Sequence, residues 1–265
     1  MNKIDWNINA LPDELREKIW SSEWEQITIG ESGAYTYLLK NEKYPKRYLK
    51  ISPCNLQLGT EREAEMMNWL KGKPPVPEVL AFMSDSEYEY LLTSEIKGCW
   101  SFDKSLENDI SSVVRLYAKG LKMIHSIDIS ECLFEQSLKS KLKEAEYRVA
   151  NGLVDEEDFD ESRLGRKAAD LFQELQNKKP DTEDLVFTHG DYCMPNILIY
   201  KGEIGGFIDW GRGGIADRYQ DLALAERSLK YNFGEEWVPQ LFEEYGLDNI
   251  DYSKIEYYKL LDEMF

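Results

Sequence analysis

Residues 188–199 read Thr188-His189-Gly190-Asp191-Tyr192-Cys193-Met194-Pro195-Asn196-Ile197-Leu198-Ile199, and residues 206–211 read Gly206-Phe207-Ile208-Asp209-Trp210-Gly211. An apolar strand end, Leu185, Val186 and Phe187, delivers the acid Asp191 into a polar turn. A β-like run from Ile197 to Tyr200 then passes through a Lys201-Gly202-Glu203 turn into a second run that ends in another acid, Asp209. The hairpin-like unit so formed carries Asp191, Asn196 and Asp209 close together. Phosphoryl transfer needs that set: one carboxylate to orient or deprotonate a hydroxyl, and an amide with a second carboxylate to hold magnesium.

Working upstream, Trp24 to Ile29 is strand-like, and Gly30-Glu31-Ser32-Gly33-Ala34 forms a turn before the run Tyr35 to Leu39. Small residues at such a turn let backbone N–H groups approach phosphates; they also suit any β-hairpin. Alternation along Arg47-Tyr48-Leu49-Lys50-Ile51 puts Tyr48 and Lys50 on one strand face and Leu49 and Ile51 on the other. A lysine facing inward needs an anion, phosphate or carboxylate. Thr60 to Leu70 reads as a helix in which Glu63 borders the apolar stripe of Met66, Met67 and Leu70. Glu63 is therefore the partner chosen for Lys50, and its spacing from Thr60 also fits a capping box. After the extended Pro74-Pro75-Val76-Pro77 come two β-like runs, Val79–Met83 and Tyr88–Leu92. The polar, Gly-containing linker at 93–98 is the expected lobe boundary, giving a lobe over 1–96 and another over 97–265.

Downstream the pattern turns helical. Pro12 starts a short helix at the N-terminus, but the long amphipathic segments are 106–126, 137–151 and 165–177, the last two within a helical insert over 136–184. His125, at the end of the first, reads as a helix-end or core histidine. Between the last two lies Asp155-Glu156-Glu157-Asp158-Phe159-Asp160-Glu161, six acids in seven positions. Such a run forms either a solvated loop or a lid of carboxylates over a polycationic substrate. Asp217 suits a helix cap or turn. Asp221, embedded in an apolar helical segment, needs hydrogen-bond partners and is read as a brace for the catalytic turn. Tyr257 to Phe265 reads as a helix ending in acids.

Composition narrows the class. The 265 residues are 42% apolar and 12% aromatic, enough for a large globular core. Fifty acids against 32 bases give a net charge of −18, which disfavours nucleic acid and attracts small cations. Four scattered cysteines without a Cys-x-x-C pair suit a reducing compartment. No apolar run approaches membrane-spanning length and no leader pattern opens the chain, so a cytoplasmic protein and no membrane partner are expected. A monomer is the default expectation.

The Asp-x4-Asn spacing is that of the protein-kinase catalytic loop, here with His-Gly-Asp before it and Asp-Trp-Gly after it. This variant resembles the aminoglycoside phosphotransferases. Gly30 to Tyr37, Tyr48-Leu49-Lys50, Glu61-Arg62-Glu63, Pro75-Val76-Pro77, His125-Ser126-Ile127-Asp128-Ile129, Ala216-Asp217-Arg218-Tyr219-Gln220-Asp221 and Leu261-Asp262-Glu263-Met264-Phe265 are similar to their counterparts in the 3′-phosphotransferases. The resemblance implies a two-lobed, protein-kinase-like α+β fold, with a small N-terminal lobe built on an antiparallel sheet and a larger, mainly helical C-terminal lobe. It implies ATP- and Mg²⁺-dependent transfer of the γ-phosphate to a hydroxyl, the 3′-hydroxyl, of a cationic aminoglycoside, and so antibiotic resistance. Asp191 takes the catalytic role, Asn196 and Asp209 the magnesium, and Lys50, held by Glu63, the α- and β-phosphates. Ser32 falls at the phosphate-contacting loop serine, Tyr48 at an adenine-stacking position, and Ser94 and Ile96 where backbone groups meet the adenine edge. Asp262, Glu263 and the Phe265 carboxylate match the wall that binds ammonium groups, joined by Asp158 and Glu161, while Arg212 and Arg227 fall at family positions near the site. Two positions depart from the pattern: Tyr231 stands where some members carry an acid, and Glu31 adds negative charge to the nucleotide loop. The rival readings are a related kinase for a macrolide, choline or a sugar, and a nucleotide-binding sensor without turnover.

Overall fold

A computed structural model describes residues 11–28, 33–54 and 59–265. Ser32 and Glu31 lie outside the described residues. Two compact units emerge, Met1–Lys97 with Gly206–Gly211, and Gly98–Gly205 with Arg212–Phe265. Gly206–Gly211, placed by the sequence reading in the C-terminal lobe, thus groups with the N-terminal one.

The first unit is a five-stranded antiparallel sheet in the order β1-β2-β3-β5-β4, made of β1 (Glu23–Ile27), β2 (Tyr35–Lys40), β3 (Arg47–Pro53), β4 (Val79–Ser84) and β5 (Tyr88–Ser94). The helices α1 (Asp13–Ile19) and α2 (Thr60–Leu70) accompany it. Period-2 alternation sorts β3 as expected: Leu49 and Ile51 are fully buried, and Lys50 is half-buried on the opposite face. Leu49 and Ile51 pack with Leu11, Leu15, Ile19, Leu39 and Leu92 in one apolar cluster. The capping box expected from Thr60 to Glu63 does not form. Thr60 is already helical, and Glu89 on β5 takes its hydroxyl at 3.1 Å and the Glu61 N–H at 3.1 Å. A carboxylate from a neighbouring strand thus satisfies the helix N-terminus, which leaves Glu63 for another partner.

The second unit is mainly helical: α3 (Ile110–His125), α4 (Leu138–Ala150), α5 (Ala168–Asn177), α6 (Tyr219–Phe233), α7 (Val238–Tyr245) and α8 (Tyr252–Asp262). A short 3₁₀ segment, Lys104–Asp109, precedes α3 where the periodicity had suggested continuous helix from 106; Asp109 caps α3 by accepting the Ser112 N–H at 3.1 Å. Two small sheets carry the motifs. One pairs β7 (Leu185–Thr188) with β10 (Gly214–Asp217); the other runs β6 (Cys99–Trp100), β8 (Ile197–Tyr200) and β9 (Glu203–Phe207). No helix among the described residues is long and apolar enough to cross a membrane.

Candidate active site

On the first unit, Lys50 Nζ lies 2.9 Å from Glu63 Oε2 and 3.0 Å from Asp209 Oδ1. Burial alone would push the Lys50 ammonium down, but the Asp209 and Glu63 carboxylates outweigh it and hold its pKa well above the usual lysine range. Glu63 is pushed above the usual carboxylate range, first by burial, against the opposing pull of Lys50, and further by the Asp209 charge. Asp209 sits at φ +62°, a left-handed conformation sparsely populated by residues other than glycine. The 206–211 segment is fitted tightly around it. The Phe207 N–H donates to Pro75 O at 3.0 Å, and Arg62 Nε on α2 donates to Gly211 O at 3.1 Å. A side chain at Gly206 would come within 2.8 Å of Pro75 O and 2.9 Å of Ile96 Cγ2. The Ser94 N–H donates to Glu78 O at 2.9 Å, and its hydroxyl accepts the Glu78 N–H at 2.9 Å.

On the second unit, β7 ends at Thr188 and the chain turns through His189-Gly190-Asp191. Gly190 has φ +81°, and a Cβ there would stand 2.0 Å from the Arg212 carbonyl oxygen. This close approach explains glycine at the second position of the motif. Asp221 on α6, buried as the sequence requires, accepts the N–H groups of His189 at 2.7 Å and Gly190 at 2.8 Å. It also pairs with His125 Nε2 at 3.2 Å, and His125 Nδ1 meets the Tyr245 hydroxyl at 2.7 Å. His125 is therefore a core histidine, one of the two roles expected of it. Tyr192 and Tyr117 exchange hydroxyl-to-carbonyl bonds at 2.7 and 2.8 Å, and the Met194 N–H donates to Ser228 Oγ at 2.9 Å. On this fixed turn Asn196 Nδ2 donates to Asp191 O at 2.9 Å and Asp191 Oδ2 at 3.0 Å, while Cys193 Sγ lies 3.1 Å from Asp191 Oδ1. The thiol is held well above its usual pKa, by burial first and then by the Asp191 charge, and so serves as a donor.

A separate cavity of about 280 Å³ lies in the same unit, lined by Asp155, Asp158, Asp160, Asp262, Glu263, Phe265, Arg148 and Arg227, among others. That volume is near the low end for small-molecule sites, ~300–1,000 Å³. Asp158 joins Asp262, Glu263 and Phe265 there, whereas Glu161 and Arg212 are not part of the lining. The terminal acids are already paired. Asp262 lies 2.5 Å from Arg227 and 3.3 Å from Arg212. Burial would raise Asp262, yet the two guanidiniums hold it below the usual range. Glu263 Oε1 bonds Arg163 at 2.9 Å and its Oε2 accepts the Asp160 N–H at 3.2 Å. Even so, burial and then the Asp160 carboxylate push the Glu263 pKa up to about 7. Lys141, buried near this group, is pushed down to about 8 by burial and then by the Arg212 charge. Sequence reasoning missed Asp155, Asp160, Arg148 and Arg163 as individuals. The acidic run marked the loop, but no period or spacing distinguishes which of its carboxylates face inward. Tyr231 is 89% exposed on α6.

The chain matches the family model described as "Phosphotransferase enzyme family" over residues 23–258. It is 40% identical to an aminoglycoside 3′-phosphotransferase of Niallia circulans, over 96% of this chain and 97% of that one. A crystal structure of an aminoglycoside-3′-phosphotransferase of type VIII aligns with TM-score 0.87 and 33% identity, covering 95% of this chain and 97% of that one. An aminoglycoside phosphotransferase of Streptomyces rimosus in complex with ADP and streptomycin aligns with TM-score 0.80 and 25% identity, over 94% and 95% of the two chains. With the Lys50–Glu63–Asp209 group on one unit and the braced Asp191–Asn196 turn on the other, this chain belongs to the phosphotransferase enzyme family, among the aminoglycoside 3′-phosphotransferases.

Proposed function

We propose that this chain transfers the γ-phosphate of ATP to the 3′-hydroxyl of an aminoglycoside and thereby confers resistance. The observation that carries the reading is Asp191. Its carboxylate is presented on a turn fixed through Asp221, Tyr117 and Ser228, with both oxygens oriented by neighbouring donors. A carboxylate so held orients the acceptor hydroxyl and takes its proton as the oxygen attacks phosphorus. Lys50, with Glu63 fixing it, holds the α- and β-phosphates, and Tyr48 on the same strand face stacks on adenine. The ADP and streptomycin named for the Streptomyces rimosus relative support a nucleotide donor and an aminoglycoside acceptor; the names of the 3′-phosphotransferase relatives support the 3′ position.

Asp209 and Asn196 fit a magnesium ion in donor type. Asn196 directs its amide nitrogen to Asp191, so the end of the side chain that remains is a hard oxygen, as magnesium prefers. When bound, the ion supplies charge neutralisation at the phosphates. The net charge of −18 and the acids of the 155–161 loop favour a polycationic acceptor.

The test is phosphate transfer from Mg-ATP to kanamycin beside its 3′-deoxy analogue tobramycin, with Asp191→Ala as control. Transfer to kanamycin alone, abolished by Asp191→Ala with nucleotide binding retained, is the expected result. Transfer to both drugs would move the acceptor hydroxyl elsewhere. Transfer to neither, with ATP bound, would overturn the aminoglycoside reading.

A further inference from the structure

A guanidinium is an odd component for a cavity that would receive a polycation, because like charges repel. Arg148 on α4 lines the cavity beside five carboxylates, and its hydrogen bonds explain its presence. Nε donates to Met264 O at 2.6 Å, and Nη2 donates to Leu153 O at 2.9 Å and to the Phe265 backbone oxygen at 3.3 Å. These three acceptors are backbone oxygens. Nη2 alone reaches both the start of the acidic loop, at Leu153, and Phe265. Nε adds a second hold on the segment that carries Asp262 and Glu263, at Met264.

The far end of the same loop is fastened to the same segment. Arg163 bridges Asp160 at 3.0 Å and Glu263 at 2.9 Å, and Glu263 takes the Asp160 N–H. Lys141 stands one heptad before Arg148 on α4, so the two share a helix face. Their cationic groups lie 5.0 and 5.9 Å from the centroid of the Phe265 ring, within the reach of a cation–π attraction. Helix α4 thus grips the last residues by ring and backbone together.

We propose that Arg148 is a positioning residue of the acceptor site: it ties the start of the acidic loop to the segment 262–265, so that carboxylates distant in sequence line one cavity. That the cavity takes the acceptor rests on the function proposed above; the tie itself does not. A planar fork with several donors suits the task, and an ammonium does not reproduce it.

Two variants and two readouts test this. In Arg148→Ala and Arg148→Lys, amide hydrogen exchange within 154–163 and within 262–265 speeds up together, by about tenfold, while α2 and β3 keep their protection. In steady-state kinetics with kanamycin, both variants raise the drug KM by about tenfold and leave the Mg-ATP KM within about twofold. If Arg148 acted merely as a repelling charge, Arg148→Ala would lower the drug KM and Arg148→Lys would not change it; that result overturns the proposal. Unchanged exchange in both segments overturns it as well. If the wild-type chain phosphorylates no aminoglycoside, the functional reading fails, and the exchange data still decide whether the tie exists.

Discussion

Asp221, in the first turn of α6, holds the N–H of Gly190 at 2.8 Å, thirty-one residues earlier in the chain and next to the proposed catalytic carboxylate. Its second oxygen takes the His189 N–H at 2.7 Å and faces His125. A buried charge is tolerated here because several donors converge on it.

Replacing Asp221 by alanine leaves two buried N–H groups without an acceptor. At about 1–3 kcal/mol each, the expected loss is about 3 kcal/mol in urea unfolding, with a fall in kcat of at least about tenfold as the turn loosens. Asp221→Asn, which keeps one acceptor oxygen, falls between. An unchanged unfolding midpoint in Asp221→Ala would remove the bracing role.

Gly190→Ala places a Cβ 2.0 Å from the Arg212 carbonyl oxygen at a φ of +81°. Both the contact and the backbone must give, at a cost on the order of 1–3 kcal/mol for the conformation alone. We expect a lower melting temperature and loss of turnover even with Asp191 intact. Wild-type values on both counts would show that the turn relaxes freely.

The lysine group separates nucleotide from acceptor effects. Lys50→Ala removes the cation facing Glu63 and Asp209; the Mg-ATP KM should rise by at least about tenfold with the kanamycin KM little changed. Glu63→Gln keeps the lysine but weakens its hold, and a smaller rise is expected. A larger effect on the drug than on the nucleotide would contradict the assignment.

Glu263 makes stability depend on pH. Burial and the Asp160 carboxylate push its pKa up to about 7, while in the unfolded chain it lies near the ordinary value of about 4.3. Between these values the folded protein binds more protons than the unfolded one. The group's contribution is therefore full below the unfolded value and is lost as pH rises through about 7. Glu263→Gln should flatten the melting-temperature profile over that window relative to wild type. Parallel profiles would show that Glu263 titrates normally.

Much of the Lys50–Glu63 pairing and of the Asp191 turn was legible in the sequence because its signals are local. Alternation placed Lys50 opposite Leu49 and Ile51, the helical stripe singled out Glu63, and Asp-x4-Asn in a turn followed by Asp-Trp-Gly named the three polar groups. Asp221 announced itself as an acid among apolar helix residues. Other features required the tertiary structure because they are made by segments that no period connects. The Thr60-to-Glu63 spacing fits a capping box, yet Glu89 from β5 takes the helix N-terminus. Asp262 and Glu263 stand out as acids at the end of the chain, but that Arg212, Arg227 and Arg163 pair with them is decided by the tertiary structure. Local pattern depends on the repeat of helix and strand, which neighbours in sequence determine. Which charge meets which across the fold depends on packing, and there Arg148, Arg163 and Asp160 acquire roles that their sequence surroundings do not mark.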